Sequence, residues 1–289
     1  MMPVAVTPGS KAEILAEALP YIRTYRGATV VVKVGGEALD EPRLASMVAE
    51  DLALLGLVGI RIVVVHGGGP QVSQAMSAAG IQPRFIGGLR VTDDDAIEVV
   101  RRVLVGSINP DLVARLNGAG LQAVGLSGAD GPLFVVERAL GPGGEDLGHV
   151  GSVTSVNAVM LNDLLARGYT PVVATVGPDP NGRPMNVNAD PAAGAIAAAL
   201  DAAKLVYLTN VEGLYRDLGD AGSLVSEMKV SELEGLLPQL SQGMRPKAES
   251  AVDALRDGVG KVHILDGRVE RALLLEIFTD EGIGTQVMA

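Results

Sequence analysis

The chain alternates between two kinds of apolar pattern. Short runs rich in β-branched residues occupy 29–34, 60–65, 121–126, 170–175, 205–208 and 261–265, with shorter ones near 133–136 and 284–287. Runs that are apolar at nearly every position suit strands buried on both faces. Between them the apolar residues recur at helical spacing, near 41–57, 70–79, 156–167, 190–201, 230–238, 245–257 and 268–277. Residues 93–118 read as one or two helices with a break at Pro110, because a proline ring clashes inside a helix. Residues 10–26 precede the first strand and read as a further amphipathic helix, with Ser10 as N-cap and Ile14, Leu15, Ala18, Leu19 and Ile22 along one stripe. That stripe needs a partner, in its own domain or in another subunit. The Gly-rich stretch 141–151 reads as a hairpin or loop, and 178–184 and 214–226 as loops.

Strand and helix alternating in this way predict an α/β fold, a three-layer αβα sandwich with a mainly parallel central sheet. If the chain divides into two lobes, the division falls near 177–184.

Composition narrows the picture. Of 289 residues, 48% are hydrophobic and 20% charged, which gives a globular chain with a large core. A net charge of -11 and the lack of any basic run exclude the electrostatic footprint of a nucleic-acid binder. Without cysteine there is no disulfide, zinc–thiolate site or cysteine nucleophile. No stretch is apolar enough to span a bilayer, and the start lacks a secretory pattern, so the expectation is a cytoplasmic protein with no membrane partner.

The chemistry concentrates at strand ends. Lys33 lies near the end of the first run, just before Gly35 and Gly36; Gly67, Gly68 and Gly69 end the second and open a helix at Pro70. Glycines there let backbone amides approach phosphate oxygens, and a helix N-terminus attracts anions. In parallel sheets ligands sit at the carboxyl ends of strands, where Lys33 could reach a transferring phosphoryl group. His66 has no proton to remove from a carboxylate substrate and reads as structural. Arg90, between Gly87-Gly88 and the helix cap Asp93, has the side chain that grips carboxylates bidentately. Asn186, Asn188 and Asp190 alternate, which would place three polar groups on one face; helix capping accounts for Asp190 but not for both asparagines. Lys247 opens a helix, where the dipole disfavours a cation unless an anion meets it. No Walker A loop and no GxGxxG after a strand is present, which weakens a dinucleotide oxidoreductase reading.

Taken in order, Lys33 with Gly35-Gly36, His66 to Gly69, Gly87 to Asp93, Ser127-Gly128, Gly148 to Gly151, Asn186 to Asp190, Leu208 to Leu214 and Lys247 resemble the amino acid kinase superfamily, and within it the N-acetyl-L-glutamate kinases. The resemblance covers nearly the whole chain. It implies transfer of the ATP γ-phosphoryl group to the side-chain carboxylate of N-acetyl-L-glutamate, with ATP and Mg²⁺ as cofactors and no protein metal ligand. Carried over residue by residue, Lys33 and Lys247 stabilise the transferring group and Asp190 holds the lysines. Gly35, Gly36, Gly67 and Gly68 supply amides to phosphates. Gly68, Gly69, Arg90, Asn186 and Asn188 bind substrate, and Thr209, Asn210 and Gly213 lie at the nucleotide. Feedback-inhibited members carry an N-terminal helix that links dimers into a hexamer, a trimer of dimers, and an arginine pocket. Here 1–26 would be the linking helix, and His263, Glu276 and Gly282 the pocket for L-arginine as inhibitor. Residues 27–180 would form the amino-acid-binding and dimerising lobe, and 181–289 the nucleotide and arginine lobe. Some members also bind a trimeric PII-type signalling protein, a partner the resemblance raises for this chain. Ala129 and Arg245-Pro246 depart from the usual pattern without removing a proposed catalytic group. Other carboxylate kinases of the superfamily and a non-catalytic arginine-binding regulator are the competing readings.

Overall fold

The computed structural model describes residues 16–216, 220–241, 243–279 and 282–289, together with Gly9 and Glu13. The expected first helix lies partly outside these residues, Ser10, Ile14 and Leu15 included; within them α1 spans Leu19–Tyr25. In chain order there follow β1 (Thr29–Val34), α2 (Gly36–Asp40), α3 (Pro42–Leu57), β2 (Arg61–His66), α4 (Gly69–Ala78), β3 (Phe85–Ile86), β4 (Leu89–Arg90), α5 (Asp94–Val103), a π turn (Leu104–Ile108) and α6 (Asn109–Gly118). Then come β5 (Ala123–Ser127), β6 (Phe134–Leu140), β7 (Asp146–Val156), α7 (Ala158–Ala166), β8 (Thr170–Ala174), β9 (Val176–Pro178), β10 (Pro184–Val187) and α8 (Ala189–Ala199). The chain closes with β11 (Lys204–Thr209), β12 (Leu214–Tyr215), β13 (Leu224–Val225), β14 (Glu227–Lys229), α9 (Val230–Leu236), α10 (Arg245–Arg256), β15 (Lys261–Asp266), α11 (Ala272–Phe278) and β16 (Thr285–Met288).

The central sheet runs β14-β16-β15-β11-β1-β2-β8-β5 and is parallel at every pairing except β15 with β16. Successive strand residues point to opposite faces, and the two cores follow that period. Val31, Val63, Val65, Leu205 and Tyr207 face α7, α8 and α10. Val30, Val32, Ile62, Val64, Val206 and Leu208 face α3, α6 and α11. The mainly parallel three-layer sandwich is therefore as expected.

Several boundaries differ, each for a local reason. The expected break at Pro110 is not a break. Helix runs on through 94–118, and the Gly106 carbonyl, four residues before Pro110, lies inside the π turn, so the missing N–H falls where the ladder already slips by one residue. Of the two readings of 141–151 the hairpin holds: 141–145 join β6 to the long antiparallel β7, which takes up the rest of the stretch. Gly148 and Gly151 look like turn residues in the sequence, but close packing is what demands them. A Cβ at Gly148 would lie 2.2 Å from the Thr92 carbonyl oxygen, and one at Gly151 2.1 Å from Val136 Cγ1. β6, β7, β10 and β9 form a second, four-stranded sheet that the sequence did not reveal. The last helix starts at Ala272 and not at 268, since Arg271 adopts a left-handed conformation with φ 61°. Residues 214–226 include the short pair β12–β13.

Candidate active site

Period two places Lys33 on the same face of β1 as Val31, directly beside Tyr207 of β11. Helices α8 and α10 cover that face. They lie close enough that a Cβ on Gly194 would meet Ser250 Oγ at 2.5 Å, and the Ala-rich sequence of α8 is what permits the approach. Both helices start near the carboxyl ends of the strands, so the first-turn residues Asp190 and Lys247 converge on Lys33. Lys33 Nζ lies 2.8 Å from Asp190 Oδ1, and Lys247 Nζ donates to Oδ2 at 2.7 Å.

All three charges are largely buried. Burial alone would raise the Asp190 carboxyl, but the two ammonium groups prevail and hold it at about 2. The Lys247 ammonium is pushed down, first by burial and then by Lys33, with Asp190 opposing. The ring of Tyr207 lies beneath it, 5.3 Å from Nζ to centroid. Tyr207 Oη and Ser250 Oγ are hydrogen-bonded at 2.7 Å, and Ser250 Oγ donates to the Asp190 carbonyl at 2.8 Å. Neither Tyr207 nor Ser250 was singled out in the sequence, since a tyrosine in an apolar strand reads as core.

Capping departs from expectation. Asn188, not Asp190, caps α8, with its Oδ1 accepting from the Asp190 N–H. Asp190 is thereby free to meet the lysines, and the anion that Lys247 needs at a helix start is present.

Lys33 also lines a cavity of about 230 Å³ with Gly36, Gly67, Gly68, Gly69, Arg90, Asn186 and Asn188, walled by Val72, Leu104 and Val150. The Gly35 N–H donates to the Leu208 carbonyl at 3.3 Å. Gly36 needs its missing side chain, as a Cβ there would lie 2.8 Å from Pro70 Cδ. Gly69 faces open space.

Gly87 and Gly88, both at positive φ, form the two-residue turn that returns β4 alongside β3. This hairpin sets Arg90 under the cavity. Arg90 Nη2 donates to the Gly69 carbonyl at 2.9 Å and to Ser73 Oγ at 2.8 Å, and the guanidinium stacks on Phe85 at 4.7 Å. Burial lowers its proton affinity. Asn186 Nδ2 donates to Thr92 Oγ1 at 3.2 Å, and Thr92 Oγ1 to the Arg90 carbonyl at 2.9 Å, which ties the two candidate substrate residues together. Asp93 caps α5 as expected. His66 is fully buried and pushed down to about 4 by burial, in keeping with a structural reading.

Thr209 ends β11 and Asn210 and Gly213 follow it, outside the lining of this cavity. The hydroxyl of Thr209 bonds to the backbone of Val211. On the opposite face of the sheet, His263, Glu276 and Gly282 meet. His263 Nδ1 lies 2.6 Å from Glu276 Oε1, and a Cβ at Gly282 would lie 3.2 Å from Oε2. Lys204 is near enough to act on both side chains electrostatically, and Tyr25 of α1 lies against Lys204 at 4.8 Å. Among the described residues no cluster of three His, Asp or Glu is placed to hold a metal, and no helix is long and apolar enough to cross a membrane.

The amino acid kinase family model matches residues 28–266. An acetylglutamate kinase from Saccharopolyspora erythraea is 49% identical over 285 residues, covering 98% of this chain and 94% of its own. Among solved structures, an N-acetylglutamate synthase from Neisseria gonorrhoeae complexed with coenzyme A and N-acetyl-glutamate is 30% identical with a TM-score of 0.87. It covers 96% of this chain, while this chain spans only 63% of that one. The same synthase complexed with coenzyme A and L-arginine is 29% identical with a TM-score of 0.83, covering 96% of this chain and 65% of its own. The chain belongs to the amino acid kinase family, in its acetylglutamate kinase branch.

Proposed function

We infer that this chain is an ATP-dependent kinase that phosphorylates the side-chain carboxylate of N-acetyl-L-glutamate. The observation that carries the reading is the buried Lys33–Asp190–Lys247 constellation, whose Lys33 lines a cavity shared with Gly36, Gly67, Gly68 and Arg90. Arg90, already fixed by Gly69 and Ser73, offers a preorganised cation for a substrate carboxylate, and Asn186 and Asn188 supply polar contacts beside it.

The substrate carboxylate is ionised at neutral pH, so no base is required. Its oxygen forms a bond to the γ-phosphorus as the bond to the β-bridging oxygen breaks, giving an acyl phosphate and ADP. Charge on the transferring group is met by Lys33, Lys247 and the amides of Gly36, Gly67 and Gly68. Such donors contribute on the order of 3–4 kcal/mol each where they bear on the transition state. Asp190 keeps two like charges side by side and charged. Its oxygens are occupied by the lysines, so it fits neither a base nor a metal ligand. Mg²⁺ would neutralise phosphate charge when bound, held by phosphate oxygens and water.

The reading extends to regulation and assembly. L-Arginine would bind at His263, Glu276 and Gly282 and inhibit; the arginine complex of the related synthase supports this. Residues 1–26 would link dimers into a hexamer, residues 27–180 would carry amino-acid binding and dimerisation, and 181–289 the nucleotide and arginine sites. The cytoplasm is its place of action. Removal of residues 1–26 should leave dimers by light scattering; an intact hexamer would refute the linker.

The test of the activity is hydroxylamine trapping of acyl phosphate formed from ATP and N-acetyl-L-glutamate, with and without L-arginine. Product suppressed by arginine supports both sites, and product indifferent to arginine removes the regulatory site alone. No product from N-acetyl-L-glutamate overturns the kinase assignment.

A further inference from the structure

His66 and Asn109 have no role in the mechanism above, yet they form a buried chain that ends on the glycine loop. Asn109 follows the π turn directly, and its Nδ2 donates to the Val172 carbonyl at 2.9 Å. A carbonyl can only accept, so the orientation of the amide is fixed. The same Nδ2 lies 3.0 Å from His66 Nε2, which must then be the unprotonated nitrogen. A neutral imidazole so constrained carries its proton on Nδ1, which lies 3.0 Å from the Gly67 carbonyl oxygen and donates to it. An imidazolium would set an N–H against the amide N–H, and burial also opposes it, pushing the ring down to about 4.

The Gly67 carbonyl and the Gly68 N–H belong to one planar peptide and point in opposite directions. The carbonyl is held toward the fully buried histidine, which turns the N–H toward the cavity lined by Gly67, Gly68 and Gly69. The π turn closes the other side: a Cβ on Gly68 would lie 2.2 Å from Ile108 Cδ1 and 2.8 Å from Leu104 Cδ2. We propose that Asn109 and His66 are positioning residues, which lock the imidazole in its Nδ1–H form and so aim the Gly68 amide at the transferring phosphoryl group. This deepens, and rests on, the kinase reading.

Two measurements test it. In the whole protein with ¹⁵N-labelled histidine, long-range ¹H–¹⁵N correlation reads the tautomer of His66, identified by the signal lost in His66→Asn. The expected pattern is Nδ1–H, unchanged between about pH 8 and about pH 5. An Nε2–H ring, or an imidazolium in that range, overturns the proposal whether or not the protein is a kinase. The second is a pair of variants. Asparagine places a donor near the Nδ1 position, whereas glutamine reaches the Nε2 position. His66→Asn should keep kcat within about threefold, and His66→Gln should lower it about tenfold or more, at near-constant KM for N-acetyl-L-glutamate. Asn109→Leu should resemble His66→Gln. Equal kcat in the two His66 variants, whether both reduced or both normal, overturns the proposal. If His66→Gln fails to fold, the tautomer decides alone.

Discussion

Asp190 and Glu276 are both buried carboxylates, held on opposite faces of the same sheet, and their partners differ in kind. Asp190 has two ammonium groups at 2.8 and 2.7 Å. Glu276 has the His263 imidazole at 2.6 Å and the Ile283 N–H at 3.1 Å. Burial raises Glu276, and the hydrogen bond and the charge of His263, with weaker help from Ile283 and Lys204, bring it below its ordinary value. The first carboxylate is matched by fixed cations and can accept no more charge. Among the described residues the second has no ammonium group in an ion pair with it; it is held by one imidazole and one backbone N–H, with Lys204 acting from farther away. Charge balance thus separates the two sites, and it fits the proposed roles of Asp190 in organising a reaction and of Glu276 in receiving a ligand.

The comparison can be broken from either side. The largest effect should come from Asp190→Asn, which leaves two buried ammonium groups without an anion. Removing one partner of a buried pair costs about 3–5 kcal/mol, so urea unfolding should show a loss of that order along with lost turnover. A change below about 1 kcal/mol would mean that the lysines do not depend on Asp190. Lys247→Ala should lower turnover by roughly 10²–10³-fold with the fold retained by circular dichroism. Near-normal turnover would remove Lys247 from the mechanism.

Acid sharpens the contrast further. The folded Asp190 carboxyl titrates at about 2 against an ordinary 3.8, so the folded state binds fewer protons in that interval. Its contribution to stability is complete above pH 3.8 and is lost as pH falls through about 2. The loss amounts to about 2 kcal/mol. Unfolding free energies of the parent chain between about pH 5 and pH 2 should therefore fall more steeply than those of Asp190→Asn; parallel curves would reject the shift. Least costly to the fold is Glu276→Gln, which keeps the shape and removes the charge. Half-inhibition by arginine should move up about tenfold, roughly 1.4 kcal/mol, with kcat unchanged. Unmoved inhibition would exclude Glu276 from the pocket.

Much of this was readable along the chain, and the exceptions have a common cause. Strands β1, β2, β8, β11 and β15 announce themselves because both faces are buried, which leaves little room for polar residues. Their order does not, since Val30 pairs with Lys204 and nothing local encodes so distant a partner. Lys33, Asp190 and Lys247 could be singled out one at a time as polar groups in odd places. Their convergence needed α8 and α10 on one face. His263 and Glu276 would have read as a core histidine and a solvated helix residue without the family resemblance. Asn188 and Asp190 show the limit in miniature: either could cap the helix, and only the lysines that converge on the same face of the sheet decide which is released.

The pairing of β1 with β11 also bears on how the protein is made. β1 sits mid-sheet, flanked by β2 from early in the chain and β11 from late in it. Lys33 and Arg90 are made well before Lys247, which lies 57 residues beyond its partner Asp190. A nascent chain can thus shape part of the acceptor pocket before its second ammonium group exists. A chain cut short before residue 247 would leave Asp190 with Lys33 as its one ammonium partner.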